Sequence, residues 1–202
     1  MPTLILMHGM TGTAEMMRPF AQKVVPEGWT LVVPEARFIH PKRGHTWWRY
    51  EVEDPDAPRR QQLTRREYID VDSSLSHLEQ IISEQADSGP LVVGGFSQGG
   101  AMAQELLHLP IGDRIAGVIC MASRLIRPLE LRMRLEDLEP KKLFWMHGEK
   151  DLRVPIEDGW AIAHLFEAAG WAVELVEHSK GHMIPIEYHD ALKEWLETFS
   201  EA

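Results

Sequence analysis

The sequence predicts an α/β fold, a mostly parallel sheet of about six strands covered by helices on both faces. Three observations carry this. Short apolar runs recur along the whole chain, helix-length segments separate them, and a glycine-framed serine stands between one such run and the next helix. The runs fall near residues 3–7, 30–33, 91–94, 115–119, 143–147 and 172–176. Thr3 to Met7 and Thr30 to Val33 are the first two. The helix between them spans about residues 14–25 and is interrupted or bent around Pro19, which cannot donate a backbone hydrogen bond. Arg65 to Ala86 reads as a long helix, with Tyr68, Ile69, Leu75, Leu78, Ile81 and Ile82 on one side and Thr64 as its N-cap. Leu91-Val92-Val93 is a buried strand, and a helix follows over 100–108. Ala116 to Ile119 and Leu143 to His147 are further buried strands. Trp171 to Val176 alternates apolar and polar, as a half-covered strand does. Ile156 to Ala169 and Ile186 to Phe199 are the last helices, with Gly170 a natural stop for the first.

The chemistry is carried by Gly95-Phe96-Ser97-Gln98-Gly99. Strand, G-x-S-x-G and helix in that order form a nucleophile elbow, the sharp turn of the α/β-hydrolase fold. Side chains two residues either side of the serine would collide where strand and helix approach, so both positions are glycine. The turn lifts the Ser97 hydroxyl above the sheet and presents the Gln98 amide at a helix N-terminus.

A serine hydroxyl needs a base to become a nucleophile, and the base needs an acid to orient it. The fold supplies them in the order serine, acid, histidine. Asp151 lies in the loop leaving the strand over 143–147, and His182 in the loop after 172–176, both beyond carboxyl ends. Asp158 is the rival acid, but it falls past Pro155 in the next helix. His178 is the rival base. Gly181 frees the loop to aim His182, which favours the latter. A second oxyanion donor is expected from the loop after the first strand, His8-Gly9-Met10-Thr11-Gly12, as the backbone N–H of Met10. His8 itself reads as a brace for that loop.

These stretches resemble the phospholipase/carboxylesterase family, the relatives of acyl-protein thioesterases. The matching residues are Leu6-Met7-His8-Gly9-Met10, Gly94 to Ala101, His147-Gly148-Glu149-Lys150-Asp151 with Val154-Pro155, and Gly181-His182. They run from the first residues to the last helix, and Gly-Phe-Ser-Gln-Gly-Gly is the most specific string. The resemblance implies a three-layer α/β/α sandwich without a large cap domain. It also implies a serine esterase with Ser97, Asp151 and His182 as the triad and the Met10 and Gln98 amides as oxyanion donors. Two features depart from the family. Relatives usually have Leu then Gly after the first His-Gly, where this chain has Met10-Thr11. Their aromatic segment after the second strand is matched only loosely by Trp47-Trp48-Arg49-Tyr50.

Composition bounds the remainder. The 202 residues suffice for one domain spanning 1–202, and no linker-like stretch divides them. A formal charge of −10 disfavours nucleic acid and anionic membranes as partners, and no apolar run is long enough for stable membrane insertion. The single cysteine, Cys120, fits a reducing cytoplasm. No metal or other cofactor is required by the triad. Trp47, Trp48 and Met183 are candidate substrate contacts, and residues 38–58 and 121–140 are candidate flaps. The hairpin that usually begins a hydrolase sheet is missing, which leaves an edge for a possible homodimer. The expected reaction is hydrolysis of a small carboxylic ester, or a thioester, through an acyl-enzyme on Ser97. Lysophospholipase or acyl-protein thioesterase activity is the alternative, and an idle hydrolase-like binding protein the third.

Overall fold

Alternation in the strands sorts the core into two clusters, one on each face of the sheet. In β1 (Thr3–Met7), Leu4 and Leu6 face one way and Ile5 and Met7 the other, all four fully buried. The computed structural model describes residues 1–51, 62–85 and 89–200. After β1 come α1 (Ala14–Val24), β2 (Thr30–Val32), β3 (Phe38–Ile39), β4 (His45–Thr46), α2 (Arg65–Ser83) and β5 (Leu91–Phe96). Then follow α3 (Gln98–Glu105), β6 (Ile115–Met121), α4 (Pro128–Asp137), β7 (Lys142–Gly148), α5 (Ile156–Ala168), β8 (Ala172–His178) and α6 (His189–Glu197). Six strands form one parallel sheet in the order β2-β1-β5-β6-β7-β8. β3 and β4 form a separate antiparallel hairpin.

Val24, Leu192, Trp195 and Leu196, from α1 and α6, pack on Leu4, Leu6, Val92, Ile119, Phe144 and Met146. On the opposite face Val71, Leu75, Leu78, Met102, Ile162 and Phe166 cover Ile5, Val93, Val118, Leu143 and Trp145. This is the helix-sheet-helix sandwich the alternating pattern predicts. Burying such side chains stabilises the fold by about 1.5–3 kcal/mol each.

Local chemistry sets the element ends. Thr64 caps α2 in a capping box, its hydroxyl accepting from the Glu67 amide while Glu67 Oε2 accepts from the Thr64 amide. The helix ends at Ser83, short of the expected Ala86, which lies outside the described residues. α1 continues without interruption through Pro19. Pro19 is exposed, so water can satisfy the carbonyl it leaves unbonded. The helix expected over 100–108 begins at Gln98 and tightens into a 3₁₀ turn at Leu106–His108. The last helix is split, a 3₁₀ turn at Ile186–Tyr188 preceding α6.

Candidate active site

Ser97 adopts φ 54° and ψ −115°, a conformation side chains rarely occupy. It costs of order 1–3 kcal/mol and must be held by its surroundings. The Ser97 amide donates to Met121 O at 2.8 Å, and the Ser123 hydroxyl donates to Ser97 O at 2.8 Å. Strand β6 and the loop that leaves it therefore clamp both ends of the residue. The flanking glycines are sterically required. A Cβ on Gly95 would lie 2.5 Å from the Gly99 carbonyl carbon, and one on Gly99 would lie 2.7 Å from His8 O.

Asp151 follows β7 and is almost wholly buried. Its Oδ1 accepts from the amides of Arg153 (2.8 Å) and Val154 (2.9 Å), which fixes the carboxylate plane. Its Oδ2 accepts from His182 Nδ1 at 2.6 Å, so Nε2 is left as the basic nitrogen of the neutral ring. His182 and Ser97 line the same cleft of about 430 Å³, and the His182 ring packs 4.7 Å from the ring of Phe96. Burial holds the His182 pKa below the ordinary histidine range, against the opposing pull of Asp151, and Arg153 lowers it further. His147 Nε2 donates to Val154 O at 2.8 Å and sits 3.5 Å from Asp151 Oδ2, a second wall for the carboxylate. The rival acid Asp158 lies in the first turn of α5. The rival base His178 is buried and stacks on Tyr188, with its Nδ1 accepting from the Lys180 amide.

The loop after β1 is set by one peptide group. Gly9 O accepts from His8 Nδ1 at 2.8 Å and from the Gly12 amide at 3.0 Å. In a trans peptide the next N–H points the opposite way, so holding Gly9 O aims the Met10 amide. Gly9, Met10 and Gln98 all line the cleft. Gln98 is the first residue of α3, so its amide has no partner within the helix. Thr11, a β-branched residue, takes φ 67°.

Of the three candidate substrate contacts, Trp48 lines the cleft. Trp47 is a correction. It is fully buried behind the loop after β1, its indole donating to His8 O at 2.8 Å and its amide to Gln98 Oε1 at 3.0 Å. Met183 is another. The Met183 amide donates back to Gly181 O at 2.9 Å, a tight turn that sends His182 inward, and Met183 is not among the lining residues. Sequence reasoning missed the Gln98 side chain, which ties the elbow to the Trp47-Trp48 segment: Nε2 donates to Trp48 O at 3.3 Å. The available signal was a polar glutamine inside the elbow, a position that the structure buries. The expected flaps are anchored. The β3–β4 hairpin bonds to the loop after β1, Thr11 N donating to His45 O and His45 N to Gly12 O, while residues 52–58 lie outside the described residues. In 121–140, Ser123 and Arg124 line the cleft, whereas α4 buries Leu131 and Leu135 in the core. Among the described residues no group of three or more His, Cys, Asp or Glu side chains is arranged to hold a metal ion.

The sequence profile described as Phospholipase/Carboxylesterase matches residues 1–200. The chain belongs to that family. Acyl-protein thioesterase 1 of Neurospora crassa is 29% identical over 136 residues, covering 61% of this chain and 54% of the relative. The chain spans about half the length of the curated relatives it matches. Among solved structures, esterase PE8 superposes with a TM-score of 0.80 at 20% identity, over 98% of this chain and 92% of that one. Zea mays acyl-protein thioesterase 2 gives 0.73 at 20% identity, over 98% and 93%. The likeness extends over the whole sheet and its helices, the α/β-hydrolase fold without a large cap among the described residues.

Proposed function

We propose that this protein is a serine carboxylesterase that hydrolyses carboxylic esters through an acyl-enzyme on Ser97. The observation that carries the reading is the 2.6 Å Asp151–His182 hydrogen bond, with His182 in one cleft with a strained, glycine-framed serine. His182 Nε2 takes the Ser97 proton as Oγ attacks the ester carbonyl. The tetrahedral oxyanion accepts from the amides of Met10 and Gln98, each such donor worth about 10²–10³ in turnover. His182 then returns the proton to the leaving oxygen, and water repeats the sequence on the acyl-enzyme. Asp151 stays ionised throughout, orienting the imidazole and stabilising its charged form.

A thioester is within reach of the same steps, and the acyl-protein thioesterases among the relatives favour it as the second reading. A series of 4-nitrophenyl esters and acyl thioesters of rising chain length, compared by kcat/KM, separates the two. The esterase reading expects oxygen esters of short acyl chains to be turned over, with His182→Ala inactive. Ester turnover unaffected by His182→Ala would refute it. We further take residues 1–202 as one enzyme domain acting in the cytoplasm, which the single buried cysteine suits. The three-residue edge strand β2 is where a second copy would pair. Among the described residues no helix is long and apolar enough to cross a membrane.

A further inference from the structure

The chain carries 31 acidic side chains against 21 lysines and arginines, yet the cleft has the opposite sign. Among its described lining residues are Arg43, Arg124 and Arg153, and no aspartate or glutamate. The three come from separate loops. Arg43 rides on the β3–β4 turn, whose Gly44 (φ 59°) sits so close to the loop after β1 that a Cβ would meet Thr11 O at 2.5 Å. Arg124 follows Ser123, whose hydroxyl holds the Ser97 carbonyl. Arg153 follows Asp151 by two residues, its amide bonded to that carboxylate. Some arginines elsewhere are matched: Arg49 pairs with Asp70, Arg127 with Asp72 and Glu105, Arg134 with Asp113. Arg43 and Arg153 have no such carboxylate among the described residues, and both are exposed at the cleft.

Of the three, Arg153 has the place that matters most to a reaction. Its charge is felt at the His182 ring, and it shares the lining with His182, Val154 and Ile184. In ester hydrolysis the histidine hands its proton to the leaving oxygen, so the leaving group departs along the wall that His182 occupies. We propose that the leaving group of the substrate carries an anion, a carboxylate or a phosphate, that lies against Arg153, with Arg43 and Arg124 adding to the positive field of the cleft. This rests on the esterase reading and narrows its substrate class. It has two physical consequences. A local positive funnel offsets the repulsion that a net charge of −10 imposes on an approaching anion. A bound anion also offsets the part that Arg153, after burial, plays in lowering the His182 pKa.

The test compares phenyl butyrate with 4-(carboxymethyl)phenyl and 4-(phosphonomethyl)phenyl butyrate, in which a methylene keeps leaving-group basicity nearly equal. Monophenyl adipate, with its carboxylate on the acyl side, is the positional control. The readout is the kcat/KM of each ester relative to phenyl butyrate. At least one leaving-group anion is expected to be favoured by about fivefold, the upper range for one exposed ion pair, and the two arms report whether carboxylate or phosphate is read. Arg153→Ala should bring that ratio near one, Arg153→Glu should push it below one, and Arg153→Lys should restore part of it. Raising ionic strength from about 0.01 to about 0.15 M shortens the screening length from about 30 to about 8 Å and should lower the ratio. A wild-type ratio of one or less, a ratio indifferent to Arg153→Glu, or a preference for monophenyl adipate alone would each overturn the proposal while leaving the esterase reading intact. Failure to turn over any of the four esters would overturn both.

Discussion

Replacing Arg127 by Met should destabilise the protein far more at alkaline than at acidic pH. Glu105, at the end of α3, is 1% exposed and its Oε2 lies 2.7 Å from Arg127 Nη1. Arg127 Nη2 also reaches the exposed Asp72 at 2.6 Å, and the guanidinium packs over the Tyr68 ring at 4.9 Å. Burial pushes the Glu105 pKa up to about 7, with Asp72 and Glu130 adding to it and Arg127 opposing. His108, 4.0 Å away, gives no counter-charge at alkaline pH, because burial and Arg127 hold its pKa below the ordinary range. A carboxyl whose pKa is raised in the fold binds its proton more tightly there than in the unfolded chain. Its contribution is therefore full below the unfolded value near 4.5 and is lost as pH rises through 7, in all about 3 kcal/mol. Removing Arg127 deletes only influences that lower this pKa, so the window extends upward. Near pH 5, with Glu105 neutral in both proteins, the variant loses a hydrogen bond and a ring contact, about 1–2 kcal/mol. Near pH 8.5 it leaves a buried, unpaired carboxylate, about 3–5 kcal/mol. Urea unfolding followed by tryptophan fluorescence at the two pH values measures both. A destabilisation equal at the two, or larger at pH 5, would refute the reasoning. In the same assay Glu105→Gln should flatten the fall in stability between pH 5 and 8.

Three further outcomes follow from the site. Gly99→Ala drives a Cβ into the carbonyls of Met7 and His8, which should cost about 1–3 kcal/mol in unfolding experiments and displace the Gln98 amide enough to lower kcat by about 10². Thr11→Gly removes a β-branched residue from φ 67°, relieving about 1–2 kcal/mol against a glycine entropy cost of about 0.5–1; denaturation midpoints should rise or hold, never fall by a full kcal/mol. Because His182 must be neutral to act as base and its pKa is held below 6.5, kcat/KM should rise through an acid limb centred below that value. Arg153→Ala should move the limb upward, and a limb that stays put or moves down would contradict the assigned field.

Much of this was legible in residue types and order. The elbow is written in Gly95, Ser97 and Gly99 because only glycine clears the backbone approaching from Met7 and His8. The meeting of Asp151 and His182 beside Ser97 was legible because loops after parallel strands converge at one edge. What stayed hidden depends on packing. Helix α4 is not legible because Leu129, Leu131, Met133 and Leu135 alternate with charged residues like a strand, whereas the helix buries only Leu131 and Leu135, four apart. Trp47 and Trp48 are adjacent and chemically alike. The sequence holds no sign that one faces the cleft and the other props the loop from behind, since that is decided by Gln98 and His8 from distant elements. The convergence of Arg43, Arg124 and Arg153 is equally a product of three loops that the chain order keeps apart.

The most direct measurement on the central claim is intact-mass analysis after exposure to a fluorophosphonate, followed by peptide mapping. The account predicts a single adduct on the peptide containing Ser97, absent in Ser97→Ala and formed far more slowly in His182→Ala. An adduct on any other residue, or none under conditions where the protein turns over esters, would contradict it.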